Sequence, residues 1–194
     1  SALCVLGIHR GSSRRTETGE TVWDGWKWKP KYQTESIEPT REIRLAHVKS
    51  WKPVAGQIDL QQVRRDVLAL HEQFRFRLIY DPHQAGLMVQ DFQQDRIEVE
   101  EMTFSGANLS RMASELLQTF RDKRISLYRD EDLIRDLGKI SIVEKSYGYK
   151  LEAVRDEHGH ADRAIALAIV LPSAVEMANS VRCYSLEEWL PFAF

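Results

Sequence analysis

Phe76-Arg77-Leu78-Ile79-Tyr80-Asp81-Pro82, running on as His83-Gln84-Ala85-Gly86-Leu87-Met88-Val89-Gln90-Asp91-Phe92, holds the change of period that decides the fold. The apolar run before Asp81 predicts a strand. Pro82 has no N–H to continue a ladder, so the strand stops at Asp81. The next dozen residues predict a helix, weakened by Gly86. A carboxylate thus ends a strand beside a helix start, which is where open α/β sheets bind ligands.

Working upstream, Asp59 predicts an N-cap for a helix through Phe74, with Val63, Val67, Leu70 and Phe74 at helical spacing. Residues 42–51 alternate apolar and polar as a strand does. Residues 2–9 are a short apolar run, predicting a buried strand. Residues 10–40 carry Trp23, Trp26 and Trp28 and predict a loop followed by an irregular or hairpin segment. Downstream, residues 97–102 have period two. Asn108 predicts the cap of a long helix carrying Leu109, Met112, Leu116, Leu117 and Phe120. Residues 124–128 predict a short strand, and Asp130 starts a short helix. Two alternating runs flank Tyr147-Gly148 and predict a hairpin over 139–155. A helix rich in Ala, Ile and Leu follows from about Asp162 and is predicted to end at Pro172. The remainder is amphipathic in part and otherwise unassigned.

Strands first, then helix and strand in alternation, then a closing helix: this is a mixed α/β layer protein. One central sheet is expected to hold the strands at 2–9, 42–51, 76–80 and 97–101, with the Asp162 helix packed on it. The 194 residues suit one domain over 1–194. A formal net charge of −2 excludes a polycation, so nucleic-acid binding would need basic groups gathered on one face. Cys4 and Cys183 form no CxxC pair, which argues against zinc or a disulfide framework and fits a reducing compartment. No apolar run is long enough to span a membrane, and the amino end lacks the basic region of a signal peptide. Ser1 opening directly onto a strand suggests an excised fragment. No GxxxxGK[ST] loop is present, so ATP-driven work would sit outside this chain.

Asp81 and Asp162 are the candidate chemical groups. Each has a plain structural reading, Asp81 as a cap for the helix after it and Asp162 as an acid complementing a helix dipole. Yet an acid on the first turn of a buried, apolar helix is carried to the sheet edge, where it can meet the end of the 76–81 strand. Two carboxylates there suit hard divalent cations, which take oxygen ligands and keep positions open for water and phosphate. Arg10, Arg14, Arg15, Lys27, Lys29 and Lys31 interleave with the three tryptophans. That pattern fits phosphate contact with base stacking, and equally a hairpin whose tryptophans pack on the sheet. His158 reads as a solvated loop residue, while His160 stays open between loop residue and accessory at a metal site.

The stretch 78–92, the helix over 106–120 and the string His160-Ala161-Asp162-Arg163-Ala164 together resemble the nuclease domain of tailed-phage terminase large subunits. The likeness runs over residues 2–172 and is strongest in the last third. It implies an RNase H-like mixed central sheet flanked by helices, with an added β-hairpin at 139–155 beside the active site. It implies a metal-dependent endonuclease that cuts concatemeric double-stranded DNA during packaging, with two divalent cations, Mg2+ or Mn2+. Asp81 and Asp162 would be catalytic metal ligands. DNA contacts would come from Arg10, Arg14, Arg15, Lys145 and Lys150. The implied partners are double-stranded DNA, the terminase ATPase domain, the small terminase subunit and the portal protein, in the host cytoplasm and with no membrane. The chain departs from the family pattern twice. His9 stands where the first motif has an aspartate, so it is expected at the metal, as a ligand poorly suited to magnesium. Ala161 stands where a second aspartate often precedes Asp162; Asp24 could substitute only from a loop. A DNA-binding or motor-docking module with weakened cleavage is the competing reading, and a junction resolvase a third.

Overall fold

The computed structural model describes residues 1–9, 13–36, 42–53, 56–146, 148–156 and 160–180. Strand β1 (Ala2–His9) pairs antiparallel with β4 (Glu42–Ser50), from Ala2 opposite Ser50 to His9 opposite Glu42. Between them, β2 (Ser13–Trp23) and β3 (Trp28–Ser36) form a long two-stranded arm of their own. The arm therefore leaves from the His9 end of β1. β4 also takes a short parallel strand, β7 (Ile125–Ser126), giving the order β1-β4-β7.

Helix α1 (Leu60–Phe74) starts where its sequence says: Asp59 Oδ1 accepts from the Gln61 and Gln62 amides at 2.9 and 3.0 Å. Its direction is set by side chains. Trp51 Nε1 donates to Asp66 at 2.7 Å, while Phe74 stacks on His47 four residues back along β4. α1 thus runs opposite to β4. Arg75 then turns the chain in a left-handed conformation (φ 50°), and β5 (Leu78–Tyr80) returns parallel to β4 and antiparallel to β1. Leu78 joins Val67, Phe92 and Ile97 in a buried cluster against which Leu3 and Trp51 pack. Asp81, three residues on, therefore ends at the Ser1 end of β1. Helix α2 (Pro82–Gln94) follows, with Pro82 in the first turn, where its missing N–H costs nothing. β6 (Val99–Glu101) pairs parallel with β5.

Three features differ from the sequence reading. Helix α3 (Gly106–Arg121) is capped by Ser105, whose Oγ accepts from the Asn108 amide; Asn108 instead sends its own amide to Thr103. The cap lies three residues earlier because an oxygen must reach back-turned N–H groups, and either residue type serves. Helix α5 (Asp162–Ser180) runs through Pro172 instead of ending there. Pro172 deletes one helical bond at about 3 kcal/mol. Beyond it, Ser173, Ala174, Val175 and Ala178 are buried with Leu167 and Leu171. Val175 alone returns about 1.5–3 kcal/mol, and the alanines beside it and the backbone bonds of the turns beyond the proline add to that, so the helix continues. Finally, the expected single sheet is two: β1-β4-β7 and β5-β6 share no ladder among the described residues.

Helix α4 (Glu131–Gly138), capped by Asp130, leads into the hairpin β8 (Ile140–Lys145) and β9 (Gly148–Ala153). Leu151 of β9 reaches the main core with Met112 and Leu116 of α3, and Leu167 and Leu171 of α5. Helices α1 and α2 cover the sheet layer on one side, and α5 with α3 on the other.

Candidate functional site

α5 spans both sheets, and its first residue sets the chemistry at one end. The Asp162 carboxylate accepts from the Ser1 ammonium at 2.8 Å and is nearly half exposed. Arg163 turns the other way: its amide donates to Asp136 at 3.1 Å, and its guanidinium reaches Ser50 at 2.9 Å and Asp132 at 2.5 Å. Asp136 also lies 3.8 Å from the buried Lys139 ammonium, which pairs with Asp156 at 2.8 Å. The start of α5 is thereby clamped to α4 and to the base of the β8–β9 hairpin. Sequence reading missed this clamp; the repeated acids at Asp130, Asp132 and Asp136 ahead of a helix beginning Asp-Arg were the available signal.

Cys4 lies under the same helix turn, 3.4 Å from the Arg163 carbonyl. Burial pushes its thiol up to about 12, with Arg163 opposing weakly. So protonated a sulfur is no nucleophile near neutral pH.

Asp81 and Asp162 both line one cavity of about 760 Å3, bounded by β1, β5, α1 and α5. The contacts above put both at its Ser1 end. No family model matches the sequence, and no curated protein matches it either. Two solved structures match by shape. One is the large terminase nuclease from thermophilic phage G20c, 12% identical, with a TM-score of 0.54 over 87% of this chain and 80% of that one. The other is the Thermus phage P74-26 large terminase nuclease domain, 13% identical, with a TM-score of 0.51 over 86% and 77%.

This chain has the fold of a phage large terminase nuclease.

Within that terminase-nuclease fold, the expected site residues separate. Asp81 and Asp162 come to one cavity. His9 does not join them. Its backbone pairs with Glu42 at the opposite end of β1 from Ser1, seven residue steps from Ala2, or roughly 23 Å. A strand alternates its side chains but cannot shorten, so a ligand at its far end is out of reach. The His9 side chain itself lies outside the described residues. Asp24 is also excluded as a substitute ligand. It accepts from the Trp26 and Lys27 amides at 2.9 and 2.8 Å and pairs with Lys29, closing the arm's turn. These bonds, Lys29 first, hold its carboxyl below the usual aspartate range. Ala161 is buried, and its carbonyl accepts the Ile165 amide. A carboxylate there would be desolvated.

The basic candidates are not gathered beside the pair. Arg14 and Arg15 lie on β2, in the arm that leaves from the far end of β1, and their side chains, like all of Arg10 and His158, are outside the described residues. Lys145 and Gly148 flank the tip of the β8–β9 hairpin, and Lys150 pairs with Glu152 at 2.9 Å. His160 is exposed two residues before Asp162. The tryptophans do not pack on the sheet: Trp26 is 92% and Trp28 65% exposed.

Two carboxylates fit one hard divalent cation, which completes its shell with water and phosphate. Among the described residues no group of three metal-binding side chains exists. No helix there is long and apolar enough to cross a membrane.

Proposed function

We propose that this chain is a metal-dependent endonuclease domain that cuts double-stranded DNA during viral genome packaging, with Asp81 and Asp162 acting together as its cation-binding unit. The observation that supports the reading is that these two acids, 81 residues apart in sequence, line one cavity in a terminase-nuclease fold. A magnesium or manganese ion there would activate water and stabilise the leaving oxygen of a phosphodiester. Asp81 would hold it from the rigid end of a strand. Asp162 would hold it from a helix start clamped by Arg163, Asp136 and Lys139. Such clamping matters because a ligand displaced by about an ångström loses most of its value. The proposed partners are those of a packaging motor: its ATPase domain, its small subunit and the portal.

A second reading, a DNA-docking module with weak cleavage, is favoured by one feature. The described donors suffice for a single weakly held ion. The test is thermal unfolding with and without manganese, alongside plasmid nicking. We expect manganese to raise the melting temperature, Asp81→Asn or Asp162→Asn to remove that rise, and nicking to be slow and manganese-dependent. A metal response retained in full by both variants would place the ligands elsewhere. A response without any nicking would favour the docking reading.

A further inference from the structure

The two sheets face each other across a gap that has the form of a strand's seat. β1 uses one edge for β4, and β5 uses one edge for β6; among the described residues no strand takes the other edge of either. Both unused edges line the same cavity of about 760 Å3, with all of residues 1–8 on one side and 77–81 on the other. Backbone N–H and C=O groups are obligatory hydrogen-bonding partners, and an open edge is a template for another strand. The two broad walls are apolar: Val63 and Val67 of α1, and Ile165 and Ile169 of α5.

We propose that this slot is a strand acceptor, taking one extended polypeptide strand joined by a hairpin turn at the Ser1 end, antiparallel to β1 and parallel to β5.

The directions follow from the fold. β1 and β5 run oppositely, so a strand between them meets one antiparallel and one parallel neighbour and joins the two sheets into a mixed six-strand layer in the order β7-β4-β1-inserted strand-β5-β6. A strand antiparallel to β1 finishes level with Ser1, where a two-residue turn reaches β1 directly. Its side chains alternate between the α1 wall and the α5 wall, so apolar residues are wanted on both faces. The other occupants fit worse. A small apolar ligand would cover the walls and leave two rows of backbone groups unpaired. A second copy could offer an edge of its β2–β3 arm, but those strands carry Glu17, Glu20, Lys29 and Lys31, which two apolar walls would desolvate. This inference rests on backbone edges and does not depend on the nuclease reading.

Three versions of the chain test it: the chain as it stands, the chain preceded at Ser1 by Ile-Val-Ile-Val-Ile-Val-Asn-Gly, and the same extension with each Val replaced by Pro. Asn-Gly favours the hairpin turn, and proline cannot donate to a ladder. Both extensions remove the Ser1 ammonium equally. Amide hydrogen exchange is read at β1 and β5, with melting temperature and molecular mass in solution. The valine extension is expected to slow exchange at slot-facing amides of both strands at least tenfold and to raise the melting temperature, while the proline extension does neither. Protection of one strand only, or of neither, overturns the proposal. So does a monomeric unextended chain whose two edges are already protected, since its slot is then closed. A dimeric unextended chain with both edges protected overturns it in favour of a second copy. Both extensions change the Ser1 partner of Asp162 alike, and the nuclease reading is tested on the unextended chain, so failure here is distinct from failure of that reading.

Discussion

The molecule contains two antiparallel hairpins of opposite fate. Among the described residues β2–β3 makes no substantial contact outside itself, whereas β9 packs along α3 and sends Leu151 into the core. Each has alternating residues and a glycine at its turn. In the arm the large apolar groups stay in water: Val22, Trp23, Trp26, Trp28 and Tyr32 are all exposed, and the rings of Trp23 and Trp28 lie 5.7 Å apart. Its charges are also spent locally, Lys29 on Asp24 and Lys31 on Glu20. Five cations, Arg14, Arg15, Lys27, Lys29 and Lys31, stand against four anions, Glu17, Glu20, Asp24 and Glu35. A hairpin becomes part of a fold when a neighbour covers one face, and its own alternation does not say whether one will.

The largest expected difference comes from truncating a side chain on each. Leu151→Ala removes a buried group and should cost about 2–4 kcal/mol, the transfer term plus the cavity left behind. Trp26→Ala should change global stability by less than about 0.5 kcal/mol despite removing far more surface. Urea unfolding of both variants checks this. Comparable losses would mean that the arm is covered in solution.

A smaller contrast lies in the turns. Gly148 has φ +123°, and a Cβ there would come 2.6 Å from Ser110 Oγ on α3. Gly25 has φ +94° with nothing within 4 Å. Gly148→Ala should therefore cost about 1–3 kcal/mol from backbone strain plus the clash. Gly25→Ala carries the strain alone, and in an arm outside the core it should scarcely move the global melting temperature. Ser110→Ala, added to Gly148→Ala, should recover the steric part only. Full recovery would show that the left-handed backbone costs nothing there.

The smallest effect is a pH dependence confined to the arm. Lys29 and the Lys27 and Trp26 amides hold the Asp24 carboxyl low. Their contribution is present above the ordinary aspartate value of about 4 and is lost as acid protonates the carboxylate below it. Amide exchange at Trp26 and Lys27, corrected for its intrinsic pH dependence, should report opening of this turn as acid is added below that value while the Tyr149 and Leu151 amides stay protected. Asp24→Ala should open the turn at neutral pH, whereas Asp24→Asn, which keeps the Oδ1 acceptor and loses only the Lys29 pair, should open it less. Equal opening of both hairpins would point to global acid unfolding instead.

What the sequence determined by itself is local. Asp59 and Asp130 were legible as caps because an N-cap needs only a side-chain oxygen and the next three amides. The end of the strand at Asp81 was legible from Pro82, and β8–β9 from its alternation. Asp81 and Asp162 could be named as candidates because each stands at an element's end. Tertiary structure decided the rest. It carried α5 through Pro172, because the packing of Val175 and the small residues beside it, with the backbone bonds of the further turns, offsets one lost bond. It put Asp81 and Asp162 at the same end of β1 and His9 at the other, since strand direction depends on how α1 returns along β4. It also left β1 and β5 unpaired with each other. A residue pattern records which face of an element is apolar; it does not record which edge or which end another element will meet, because those are set by contacts between residues far apart in the chain.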